Sequence, residues 1–141
     1  MIKRIIKTDR LMTTILIRLM VGVVFVSEGI QKFLFPDLRG AGRFEGIGLP
    51  HPEFLGSFVG FFEVLSGLLI LLGLVTRLAA IPLIIIMCVA LFTTKLPMLA
   101  DEGFWYMLHA FRTDYAMLLG SVFLLIRGGG AYSFDARLSR Q

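Results

Sequence analysis

The chain has little of what soluble enzymes use for chemistry. Its 141 residues include one cysteine, two histidines and one tryptophan. The lone Cys88 lies inside an apolar run, so the sequence offers no internal disulfide, no C-x-x-C redox pair and no thiolate metal site. His51 and His109 stand far apart, without ligand spacing, and predict no metal centre. No heme-attachment or iron–sulfur motif is present either. Charge is sparse at 17%, and neither an internal repeat nor a low-complexity tract breaks the chain. The formal net charge of +4 raises nucleic acid as a partner. However, the Lys and Arg residues sit at helix ends and termini, not on one aromatic-bearing surface, so no nucleic-acid partner is expected.

Apolar residues are abundant. Hydrophobic residues make up 57% of the chain and the mean hydropathy is +0.84, against roughly 45 to 50% apolar residues in ordinary soluble domains. The expected solvent is a lipid bilayer. Four apolar runs, about 12–35, 53–74, 78–96 and 107–126, are each close to the roughly 20 residues that span a membrane as a helix. Little is left for a second domain, so residues 1–141 read as one all-α, four-helix transmembrane bundle.

The first run follows Lys3, Arg4, Lys7 and Arg10, an order that a secretory signal peptide also shows. It is too long for a signal peptide's apolar segment and lacks a small-x-small cleavage site, so a transmembrane helix is the better reading. Phe35-Pro36-Asp37 stops it. The stretch from Pro36 to Pro52 is rich in Gly, Pro and charge and reads as a loop, with a short amphipathic turn around Phe44. Val75-Thr76-Arg77 is short enough to force the second and third helices antiparallel, and Pro82 is placed in the first turn of the third. Pro97 to Phe104 reads as another loop, Trp105-Tyr106 as an interfacial aromatic belt, and Gly128-Gly129-Gly130 as the stop of the fourth helix, with no phosphate-loop pattern after it. Basic residues outside the spans gather on one side, from Lys3 to Arg10 with Arg77, Arg127, Arg137 and Arg140, against Arg39, Arg43 and Lys95. By the positive-inside rule both termini should be cytoplasmic.

Charges inside the spans are the most informative feature. A charge at the centre of a membrane helix costs about 2.5 to 3.5 kcal/mol on insertion scales, so each needs a partner, water or a job. Arg18, Glu28 and Lys32 fall on the first helix, Glu63 on the second, and Arg112 and Asp114 on the fourth. Glu28 and Lys32 are one turn apart and predict an ion pair. Gly22 and Gly29 share their face, and Gly56, Gly60 and Gly67 share the face of Glu63, giving two glycine seams for close helix packing. At 1.5 Å rise per residue, Glu28, Lys32, Glu63, Arg112 and Asp114 converge on one outward-leaflet region, and Arg18 lies deeper, toward the cytoplasm. The candidate site is therefore an outward-leaflet pocket lined by those five residues. Three uses remain open: interhelical pairing alone, a pocket for a polar or redox-active ligand, and a proton or ion path.

The motifs Arg18-x3-Gly22 with Gly29-x2-Lys32, Phe44 with Gly48-Leu49-Pro50, Glu63-x3-Gly67 with Gly73-x2-Thr76-Arg77, and Gly128-x-Gly130-x2-Ser133-x-Asp135 occur in order. In these marks the chain resembles the DoxX family of small four-helix bacterial membrane proteins from about Arg18 to Leu138. The resemblance implies a bacterial inner-membrane protein. Its relatives include subunits associated with thiosulfate:quinone oxidoreductase and with membrane complexes of oxidative-stress defence. Lys32 and Glu63 match the family pattern; Arg112 and Asp114 are not carried over from it. The expectation is an accessory subunit of a redox-linked assembly, with a quinone as candidate cofactor, redox proteins as partners and a homo-oligomer as its state. A non-catalytic membrane scaffold and a small permease are the alternatives.

Overall fold

The computed structural model describes residues 2–140. The protein is 80% helical, with no strand among the described residues. Helix α1 spans Thr14–Leu34, α2 Pro52–Leu72, α3 Thr76–Glu102 and α4 Phe104–Arg127. The first three are long and apolar enough to cross a membrane. The fourth is 24 residues long but carries Arg112 and Asp114 in its first half.

Short links set the topology. Gly73 adopts φ +68° at the end of α2 and Gly103 φ +90° between α3 and α4, backbone states that glycine reaches without steric cost. Gly103 alone separates α3 from α4, and the two helices pack side by side, so they run antiparallel. The four helices form a ring in which α1 packs on α2 and α4, and α3 packs on the same two. Val21, Phe25, Ile70, Leu83 and Leu124 fill its centre. Large apolar side chains such as Leu16, Leu68 and Ile85 are exposed on the outside, as expected where lipid is the solvent.

Helix boundaries differ from expectation in three places, each for a local reason. The loop from Pro36 to Pro52 contains two short helices, Pro36–Arg39 and Ala41–Gly46, the second carrying Phe44 as the amphipathic turn. The third helix runs from Thr76 through Pro97 to Glu102 instead of ending near residue 96, and its start at Thr76 puts Pro82 past the first turn. A π-helical segment, Leu91–Lys95, makes the continuation feasible by widening the helix just before Pro97, the residue that lacks an N–H. The fourth helix begins at Phe104, so Trp105 and Tyr106 lie within its first turn.

The glycines of the two seams are where α1 meets α2. A Cβ at Gly29 would sit 2.7 Å from the Gly60 carbonyl oxygen, and one at Gly67 would sit 3.0 Å from that of Gly22. Gly56 serves a different neighbour, because a Cβ there would lie 2.8 Å from the backbone nitrogen of Ala41. It seats the connector on α2.

Candidate functional site

Two polar clusters lie at opposite ends of the ring. At the end carrying the chain termini, Arg18 is 3% exposed and donates to backbone carbonyls alone. Nε reaches Ile70 at 2.8 Å, Nη2 reaches Leu71 at 2.5 Å, and Nη1 reaches Gly129 at 3.3 Å and also Tyr132. The first two carbonyls belong to the last turn of α2, where a cation complements the helix dipole and satisfies orphan acceptors. Gly129 and Tyr132 belong to the segment after α4, so one guanidinium ties three parts of the chain together. Asp135 does the converse job at the start of α3. It is 1% exposed and accepts from the N–H groups of Val75 at 2.7 Å and Thr76 at 2.9 Å. Ser133 caps the short helix Phe134–Leu138 that carries Asp135, accepting from the Ala136 N–H at 3.1 Å. This cluster accounts for the Gly128-to-Asp135 motif as an architectural clamp.

At the other end a cavity of about 470 Å³ opens between the four helices. Lys32 from α1 and Glu63 from α2 meet across it at 2.7 Å, with side chains 10% and 3% exposed. Lys95 from α3 and Asp114 from α4 meet at 3.2 Å, and Lys95 Nζ also donates to the Ala110 carbonyl at 3.1 Å. Each pair joins two helices. Glu28 lines the same cavity without an ion-pair partner among the described residues. The connector contributes Arg39 and Arg43, which likewise make no ion pair there, together with apolar Phe44, Ile47 and Leu49. Thr93, Thr94 and Thr113 add hydroxyls.

The structure thus brings together Glu28, Lys32, Glu63 and Asp114. Arg112 is not among the cavity's lining; it is exposed and bonds its own helix at the His109 carbonyl, 2.6 Å away. Residues two apart on a helix point to different faces, so Asp114 turns inward while Arg112 turns out. Of the contacts open to Lys32, with Glu28 one turn away and with Glu63 on the glycine seam of the neighbouring helix, the structure makes the second. Lys95, expected near the surface, is 9% exposed and takes the place assigned to Arg112. The π-helical segment is responsible, since a π-bulge adds a residue to a turn and rotates the side chains beyond it. The run Thr93-Thr94-Lys95 before Leu96-Pro97 is the only sequence signal of it. The cavity contains cations, carboxylates and hydroxyls over apolar walls, a set suited to orienting a small oxygen-rich group. Among the described residues, no group of three or more His, Cys, Asp or Glu could hold a metal.

Relatives bear on this geometry. The chain is 53% identical over 135 residues to an uncharacterised membrane protein of Mycobacterium tuberculosis, covering 92% of this chain and 83% of that one. It is 30% identical over 125 residues to CatD of Bacillus subtilis, named as a candidate oxidoreductase, covering 86% and 84%. No solved structure matches. The DoxX family model matches residues 13–96, a range that takes in Arg18, both glycine seams, the Lys32–Glu63 pair and Lys95, and the chain is a membrane protein of the DoxX family.

Proposed function

We propose that the protein is a bacterial inner-membrane subunit of a redox-linked assembly, and that its cavity holds the headgroup of a quinone. In this reading α4 crosses the bilayer with the other three helices, both termini are cytoplasmic, and the cavity opens in the outward leaflet. The observation that carries it is the convergence of Lys32–Glu63 and Lys95–Asp114 on one space, with Arg39 and Arg43 at its rim. Lysine and arginine N–H groups stabilise charge that develops on a carbonyl oxygen as it is reduced, and the nearby carboxylates are placed to exchange protons with it. The name of the Bacillus relative points to the same class of chemistry. The chain supplies no electron donor of its own, so a partner protein must deliver electrons.

The test is purification from native membranes in mild detergent, followed by extraction of quinone and identification of co-purifying proteins. Stoichiometric quinone and a redox partner are expected. A preparation without either, from membranes whose quinone reductase activity is unchanged by deletion of the gene, would overturn the reading.

One observation favours a second reading, a scaffold without chemistry. Each buried lysine already faces a carboxylate on another helix, which is the arrangement that fixing helix partners alone would require. The scaffold predicts that neutral replacement of a whole pair preserves every property of the membrane assembly.

A further inference from the structure

The openings of the cavity differ in polarity. Its roof is the connector, whose Phe44, Ile47 and Leu49 line it and whose backbone rests against Gly56 of α2. Beside them the exposed Arg39 and Arg43 also line the cavity, so this end offers a charged opening and not an apolar one. The side between α2 and α3 is different. There the lining includes Phe58 of α2 and Ile85 and Val89 of α3, which are also 48%, 57% and 46% exposed. A residue that both lines a cavity and faces outward marks a mouth. Phe58 lies about 14 residues above the end of α2 and Val89 about 13 above the start of α3, so at 1.5 Å per residue they stand at the same height.

Apolar side chains flank this mouth along both helices. Phe58 lies between Phe54 and Phe62, with ring centroids 5.6 and 4.8 Å away, in a row along α2. Ile81, Ile85 and Val89 form an exposed stripe at helical spacing on α3. In a chain whose outward faces meet lipid, a mouth at this height is bathed by acyl chains and not by water. Between α1 and α4 the lining includes Glu28 and the exposed Thr113, so that opening is polar, and an apolar chain would not cross it without cost.

Resting on the quinone-headgroup reading of the cavity, we infer that the cavity loads from the side, and that its ligand is a single-tailed amphiphile dissolved in the membrane. The headgroup passes between α2 and α3 to reach Lys32, Glu63 and Lys95. The tail stays in the mouth, against Phe58, Ile85 and Val89, and continues into the bilayer. A volume of about 470 Å³ is at the small end of ligand pockets and takes a headgroup with the first segment of one chain. A water-soluble oxyanion would have no use for this mouth.

The experiment uses the full chain in lipid nanodiscs and a decyl-tailed benzoquinone carrying a diazirine on the first segment of the tail, next to the ring. After irradiation, labelled peptides are expected to contain Phe58, Ile85 or Val89, and excess unlabelled decyl-quinone should remove the label. Val89→Trp fills the mouth from a lipid-facing position where a large apolar residue is tolerated. It should reduce labelling by at least about tenfold, given roughly 0.8 kcal/mol for each methylene removed from apolar contact, whereas Val89→Ala should keep it. Label that Val89→Trp leaves unchanged, and that a tail-less quinone competes away as well as the decyl form does, would overturn side entry while keeping the headgroup site. Label that no quinone competes away would overturn both.

Discussion

Asp135 accepts a 2.7 Å hydrogen bond from the N–H of Val75, a β-branched residue held at φ +44°. Left-handed backbone is costly for such a residue, of order 1 to 3 kcal/mol where the surroundings impose it. The carboxylate also takes the Thr76 N–H and so fixes the first turn of α3. Asp135→Ala removes an acceptor from one buried and one part-buried donor and should lower stability by about 1 to 3 kcal/mol, read as a fall in melting temperature in detergent. Asp135→Asn keeps one acceptor oxygen and should fall less. Val75→Gly, which relieves the strained backbone, should recover part of the Asp135→Ala loss; failure to do so would separate the cap from the strain.

Arg18 serves four carbonyls from one planar fork. Lysine has the same charge but one compact donor group, so Arg18→Lys should leave part of this set unmet. Thermal stability in detergent is expected to drop for Arg18→Lys by about 1 to 3 kcal/mol, with a larger drop for Arg18→Met. Equal stability of Arg18→Lys and the wild type would mean that charge alone suffices there.

The two clusters differ in how far the sequence discloses them. Apolar length and glycine spacing are local properties, so the long helices and the α1–α2 seam can be read directly. Glu28, Lys32, Glu63 and Asp114 can be placed on one level because rise per residue is fixed. Which acid meets Lys32 cannot, because a partner one turn away and a partner on the next helix satisfy the same spacing, and only the glycine-close approach of α1 and α2 decides for Glu63. Depth alone misplaces Arg112, although the phase between residues 112 and 114 is present in the sequence. Lys95 is hidden by Leu96-Pro97, a helix-stop signal that the π-helical segment overrides. The roles of Arg18 and Asp135 join residues more than 50 positions apart, beyond the reach of any local pattern.

Gly29 offers a test of the seam with an internal control. A Cβ there would stand 2.7 Å from the Gly60 carbonyl oxygen and 2.9 Å from the Val64 nitrogen, whereas a Cβ at Gly46 would meet nothing within 4 Å. Backbone atoms cannot swing aside as a side chain can, so Gly29→Ala must push α1 away from α2 and stretch the Lys32–Glu63 contact. Gly29→Ala should lower folded yield and melting temperature, with a cost in the overpacking range of about 1 to 3 kcal/mol, while Gly46→Ala should match the wild type. Indistinguishable melting curves for the two would mean that the helices do not approach this closely.

The Lys32–Glu63 pair can be tested for whether it orients a ligand or only holds two helices together. Removing one partner of a buried ion pair leaves an uncompensated charge and typically costs about 3 to 5 kcal/mol, whereas replacing both with apolar residues of similar volume is often neutral. Lys32→Met and Glu63→Leu should each reduce folded yield, and the double variant should recover it. The coupling measured by this cycle is then the structural part of the pair. Quinone retention by the recovered double variant supplies the rest. If the charges orient a headgroup, the folded double variant should have lost most of its quinone, because restored packing supplies no N–H donor. If it retains quinone at the wild-type level, the pair serves helix registry alone and the headgroup must rest on Lys95 and the connector arginines.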